Sequence, residues 1–118
     1  MTDVASVMRA LADPTRRTVF EQLVREGELT VASLTERNEI SQPAISQHLK
    51  ALREAGLVVE RREGRHAYYR CKPQGLEPLA DWLGVFWRSR FNRLRHVLEE
   101  MDDEPPSKQQ PRPARHRR

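Results

Sequence analysis

The stretch that decides the fold is SQPAISQHLKALREAGLV (41–58), together with TVASLTERNEI (30–40) before it. Ser41 offers a hydroxyl to cap a helix, and Pro43 is tolerated in a first turn, where helical N–H groups have no partner anyway. Ile45, Leu49 and Leu52 recur at helical spacing and should face inward, and Gly56 closes the run. Upstream, Thr30 is placed to cap a short helix carrying Val31 and Leu34, with Asn38 expected to end it in the left-handed conformation. Two short helices joined by about three residues, Asn38 to Ile40, form a helix-turn-helix.

With the apolar positions turned inward, the second of these helices presents Gln42, Pro43, Ser46, Gln47 and Lys50 on its outer, N-terminal face. A glutamine can bond an adenine edge at two points, a serine can serve either partner, and a lysine suits guanine or phosphate. Polar residues also suit a merely solvated face. What favours DNA is charge: from Ile40 to Arg53 the only charged residues are Lys50 and Arg53, so nothing there repels phosphate. The period then changes. Residues 57–62 and 66–71 are rich in Val and Tyr and flank Glu63-Gly64-Arg65, a hairpin signal. Arg61, Arg62, Arg65 and Arg70 crowd this two-stranded ribbon, with Arg65 near the tip. Taken alone, such a hairpin could be a solvated edge blunted by charge. Directly after a helix-turn-helix it reads as a wing suited to phosphate or minor-groove contact.

Outward from this centre, the N-terminal side holds two more helices. Val4, Val7, Met8 and Leu11 make one narrow apolar stripe. Asp13-Pro14 restarts the chain as cap and first helical residue. Val19, Phe20, Leu23 and Val24 give the second helix its expected buried face, and Gly27 its left-handed end. On the C-terminal side, Pro73, Gly75 and Pro78 announce a long helix to Met101, with Trp82, Val85, Phe86, Trp87 and Phe91 around most of its circumference and Leu94 and Val97 beyond them. That is more aromatic surface than one small core can cover, which marks an interface. The thin stripe of the first helix and the surplus of the last therefore predict a homodimer. A two-fold dimer would set its recognition helices about one DNA turn apart, ~34 Å, over an inverted-repeat operator.

The 118 residues allow one ordinary domain. No apolar stretch reaches the ~18 residues of a membrane span, and MTDVASVMRA lacks a signal-peptide core. The single cysteine, Cys71, excludes an intramolecular disulfide framework and a cysteine-rich zinc site, and fits a reducing cytoplasm. Net charge is +4, half of it in residues 102–118. That segment carries four of the eight prolines and no large apolar residue, and is expected to be a disordered basic tail behind a domain at 1–101. No Ser/His/Asp or Cys/His set and no glycine-rich phosphate loop is present, so an enzyme is not expected. His48, within the second helix of the pair, suits packing or phosphate contact better than catalysis.

LADPTRRTVFEQL (11–23), SQPAISQHLKALREAGLV (41–58) and ERREGRHAYYR (60–70) resemble the ArsR-type winged-helix repressors of bacteria over roughly residues 3–101. The resemblance implies a mainly α, α+β fold of four helices, a β-hairpin wing and a last helix. It implies a homodimer paired through the first and last helices, and operator binding that often silences the protein's own operon. On that pattern Ser41, Gln42, Ala44, Ser46, Gln47 and Lys50 match recognition-helix positions, with Arg62 and Arg65 on the wing. Val4, Val7, Met8, Leu11, Trp82, Phe86, Leu94 and Val97 fall to the dimer interface.

Family metal sites are not matched. The thiolate positions of E-L-C-V-C-D-L read Glu28-Leu29-Thr30-Val31-Ala32-Ser33-Leu34, which offers no soft ligand. The last-helix site lacks its Asp-x-His half, with Asp81 followed by Leu83, although His96-x-x-Glu99 remains. The expectation is a DNA-binding regulator without metal or other cofactor. A small-molecule or protein effector is left open. Metal- or redox-responsive repression, through His96 and Glu99 or Cys71, and a winged helix used only for protein interaction are the alternatives.

Overall fold

The computed structural model describes residues 3–101; the expected basic tail lies outside them. Residues up to Leu83 form one compact unit, and the chain from Gly84 forms a second.

In the first unit, α1 spans Val4–Ala12 and α2 Pro14–Glu26. Between them Asp13 caps α2, its carboxylate accepting from the Arg16 backbone N–H at 2.8 Å, with Pro14 in the first turn. Next come β1 (Leu29–Thr30), α3 (Val31–Asn38), α4 (Gln42–Glu54), β2 (Val58–Glu63), β3 (His66–Cys71) and a 3₁₀ turn, Pro73–Leu76. Thr30 caps α3 and Ser41 caps α4, both as their sequence positions predict. Helix α5, Glu77–Met101, begins in this unit and runs on as the second.

The core draws on every layer of the first unit. Val7 and Ala10 of α1, Val19, Phe20 and Leu23 of α2, Leu34 of α3, and Ile45, Leu49 and Leu52 of α4 meet Leu57 and Val58 at the start of β2. Full burial of Leu34, Ile45, Leu49 and Leu52 locks the helix-turn-helix onto this core, since each such side chain stabilises by about 1.5–3 kcal/mol. The outer face of α4 is thereby fixed in orientation.

The sheet has three strands in the order β1-β3-β2, all antiparallel, where a two-stranded ribbon was expected. β1 pairs Leu29 with Tyr69 and Thr30 with Tyr68, so the hairpin is anchored along one edge at its base. β2 and β3 pair from Val58–Cys71 to Glu63–His66, leaving a two-residue loop, Gly64-Arg65. Gly64 has φ 62° and Arg65 is not in the left-handed half, the pattern of a II′ turn with glycine first.

Four local expectations are corrected. Val24 is exposed, because it falls outside the arc of α2 set by Val19, Phe20 and Leu23. Gly27 has positive φ but ψ −141°, so it is extended rather than αL. Asn38 stays helical and Glu39 takes the αL position, at φ 55° and ψ 37°. Asn38 is held by its side chain, which donates to the Leu34 carbonyl at 2.7 Å and exchanges hydrogen bonds with Gln22. Val7, expected at a dimer interface, is fully buried within its own protomer's core.

Candidate nucleic-acid interface

Helix α4 turns Gln42, Ser46, Gln47 and Lys50 outward, all exposed, with Ser41 at the cap and Ala44 half-buried behind them. Ser41 is committed to the Ala44 N–H at 3.2 Å, so its role is to start the helix with its first-turn amides pointing outward. His48 turns the other way, its side chain only 17% exposed. Its Nδ1 accepts from Arg16 Nε at 3.4 Å and lies 3.9 Å from the Asp13 carboxylate, which pins α4 against the start of α2. The Arg16 backbone N–H, with the Arg16 guanidinium charge adding to it, holds the Asp13 carboxyl below its usual range.

The wing arginines do not form one basic patch. Strand residues alternate in direction, so Glu60 and Arg62 share one face of β2 with Tyr69 of β3, while Arg61 and Glu63 share the other with Tyr68 and Arg70. On the second face Arg61 is saturated. It donates to both oxygens of Glu28 at 2.8 and 3.0 Å and to Glu63 at 2.6 Å, and its guanidinium lies 4.5 Å over the Tyr68 ring. Those hydrogen bonds raise Arg61 further above its usual value and lower Glu28. On the first face Glu60 takes Arg53 of α4 at 2.6 Å and lies 3.5 Å from Arg62. Arg65, at the turn, makes no ion pair among the described residues, and neither does Lys50.

The candidate site thus comprises the exposed face of α4, hydrogen-bonding with one cation at Lys50, and the cationic tip of the wing at Arg65. Neutral hydrogen-bonding groups suit base edges, and a cation suits phosphate. Glu28, Glu60 and Glu63, which decide which arginines are available, escaped the sequence reading. The alternation in Val58-Val59-Glu60-Arg61-Arg62-Glu63 was the signal that could have found them.

A helix-turn-helix domain family matches residues 11–61, the segment from the end of α1 into β2. The chain is 50% identical over 68 residues to the arsenic resistance transcriptional regulator ArsR1 of Pseudomonas putida, covering 58% of this chain and 53%, about half, of that relative. It is 33% identical over 95 residues to the arsenical resistance operon repressor of Escherichia coli, covering 80% of this chain and 81% of that one. A crystal structure of a possible transcriptional regulator for arsenical resistance superposes with a TM-score of 0.62 at 43% identity, over 76% of this chain and 93% of that chain. The chain belongs to the ArsR family. It is a DNA-binding transcriptional regulator with a winged helix-turn-helix, not an enzyme.

The other expected positions of this ArsR-family chain lie on α1 and α5. Val4 and Met8 are half-buried and Leu11 packs on the core. Along α5, Trp82, Phe86, Leu94 and Val97 are exposed, as are Trp87 and Phe91. His96 Nε2 lies 3.6 Å from Glu100 rather than engaging Glu99. Cys71 is half-buried, and burial pushes its thiol up. No described helix is long and apolar enough to cross a membrane.

Proposed function

We propose that this ArsR-family regulator is a cytoplasmic homodimeric repressor that binds an inverted-repeat operator and silences its own operon. The observation that carries the reading is the pairing of an exposed N-terminal α4 face, without an acidic residue from Gln42 to Arg53, with an unengaged arginine at the wing tip. Gln42, Ser46 and Gln47 read base edges; Ser41 and Ala44 set the helix end against the groove; Lys50 and Arg65 contact phosphate, while Arg62 stands beside them on the wing at Glu60. The dimer forms through α1 (Val4, Met8, Leu11) and α5 (Trp82, Phe86, Leu94, Val97). The large apolar area that α5 exposes supports this, since such surface marks protein–protein contact.

The arsenic named for the relatives is not carried over. Thr30 and Ala32 occupy the positions where thiolates would be needed, and the Thr30 hydroxyl is engaged in capping α3, accepting from the Ser33 N–H at 3.1 Å. Protection mapping on the DNA upstream of the coding sequence, with and without zinc, tests the whole proposal, alongside sedimentation of the free protein. Two protected half-sites about 10–10.5 base pairs apart, unchanged by zinc, with a dimeric protein, are expected. Absence of protection at low salt, or a single half-site bound by a monomer, overturns it.

A further inference from the structure

Glu60 is an acidic residue placed beside a surface that meets a polyanion, where simple electrostatics would exclude it. It is not an edge charge pointing into water, since its side chain is only 19% exposed. Three groups converge on its carboxylate. Arg53, in the last turn of α4, donates at 2.6 Å. Arg62, two residues along on the same strand face, lies at 3.5 Å. Tyr69, its cross-strand partner on β3, faces the same carboxylate and is itself packed against the core.

We propose that Glu60 is a positioning residue that sets the angle of the wing relative to the recognition helix. The proposal rests on the reading that α4 and the wing contact DNA together. The wing is held on two sides. Its far face is tied to β1 through Arg61 and Glu28, which fixes it to the base of α3. Only the Arg53–Glu60 pair ties its near face to α4 by charge among the described residues. The tip residue Arg65 lies in the turn beyond the strand end at Glu63, roughly 12 Å from Glu60 with three strand steps of ~3.3 Å and the turn itself. A tilt of about 10° at Glu60 therefore moves the tip by roughly 2 Å, enough to lift a guanidinium out of hydrogen-bond range of a phosphate. The same contact holds Arg53 and Arg62 at a carboxylate, which withholds both from unselective phosphate binding. Glu60 thus spends local positive charge to keep two DNA-contacting elements in register.

The test exploits a difference of sign. Glu60→Gln keeps the shape but removes the charge that holds Arg53. Affinity is measured by titration against a duplex carrying the protected operator segment and against a scrambled duplex of the same composition, each over a salt series. With Glu60 as a positioning residue, the variant binds the scrambled duplex a few-fold tighter, because a repelling charge is gone and two guanidiniums are released. It binds the operator about tenfold weaker, and the affinity lost to Arg65→Ala shrinks in the Glu60→Gln background. Tighter binding to both duplexes means that Glu60 acts only as a repelling charge, and overturns the proposal. Equal weakening on both, with a lowered melting temperature, shows a structural role only and overturns it as well. If Arg65→Ala is silent in the parent protein, the wing does not touch DNA, and that separate result removes the underlying reading too.

Discussion

Gly75→Ala should destabilise this protein far more than an ordinary glycine-to-alanine change. Gly75 is buried in the 3₁₀ turn before α5, where a Cβ would stand 2.0 Å from the Gly56 carbonyl oxygen, 2.8 Å from its carbon and 3.1 Å from the Leu57 Cα. Carbon–oxygen contacts are ordinarily no closer than about 3.3 Å, so the two backbones must part by more than an ångström. Neither can move alone. The Gly56 N–H is bonded to the Arg53 carbonyl and the Leu57 N–H to that of Leu52, while Lys72 N–H donates to the Leu57 carbonyl at 2.8 Å beside the contact. Overpacking of this kind costs about 1–3 kcal/mol, and losing the Lys72 bond adds about 1. At ~4–8 °C per kcal/mol for a domain this size, a loss of about 2–4 kcal/mol lowers the melting temperature by roughly 8–30 °C. Thermal unfolding followed by far-UV circular dichroism at fixed protein concentration measures this. Gly84→Ala is the contrast: its Cβ meets only the mobile end of Arg88 at 3.0 Å, and helix propensity favours alanine by up to ~1 kcal/mol. A Gly75→Ala protein melting within about 3 °C of the parent would show that the approach of the two turns is soft, and would refute the reasoning.

Gln47→Ala should weaken binding to the mapped operator by about 1–3 kcal/mol and leave a random duplex nearly unaffected; equal losses on both remove Gln47 from base reading. The Asp13 carboxyl is held below an aspartate's ordinary value, first by the Arg16 N–H. Its contribution to stability is therefore present above that value and lost as pH falls through the lower folded value. Asp13→Asn keeps a capping oxygen that cannot titrate, so its melting temperature should fall less steeply than the parent's from about pH 5 to pH 3; parallel curves contradict this. Cys71, raised by burial, should react with iodoacetamide near neutral pH more slowly in the folded protein than in urea, and equal rates would show an open thiol.

The helix-turn-helix was legible because its signals are local. A capping hydroxyl at Thr30 and Ser41, a proline in the first turn and a leucine every turn act within a few residues, and each is satisfied where it stands. What the sequence hid depended on partners distant in the chain. Asn38 has the right chemistry for a left-handed end, but Gln22, sixteen residues earlier, holds its amide, and the next residue takes the strained position instead. β1 is two residues long, too short to show alternation, and exists only because β3 offers it an edge. Val7 belongs to the same apolar stripe as Val4 and Met8, yet a stripe does not say which of its members meets the protomer's own core first.

The wing carries the most consequential gap between sequence and surface, and it can be measured. Four arginines in ten residues suggest a broad basic patch, but counterion release counts only cations that reach phosphate. Arg61 is fixed to Glu28 and Glu63, Arg62 leans on Glu60, and Arg70 faces the same Glu28 that Arg61 engages. Neither Arg65 nor Arg70 has an ion pair among the described residues, but Arg65 alone sits at the turn, beyond the last of these carboxylates. The wing should therefore add about one unit, not four, to the slope of log affinity against log salt for each bound protomer. Arg65→Ala should reduce the slope by about that unit, whereas Arg61→Ala, two strand pairs away and of identical charge, should change affinity without changing the slope. If the two substitutions lower the slope equally, Arg61 exchanges its carboxylates for phosphate on binding. The ion pairs of the free protein would then not decide which arginines touch DNA.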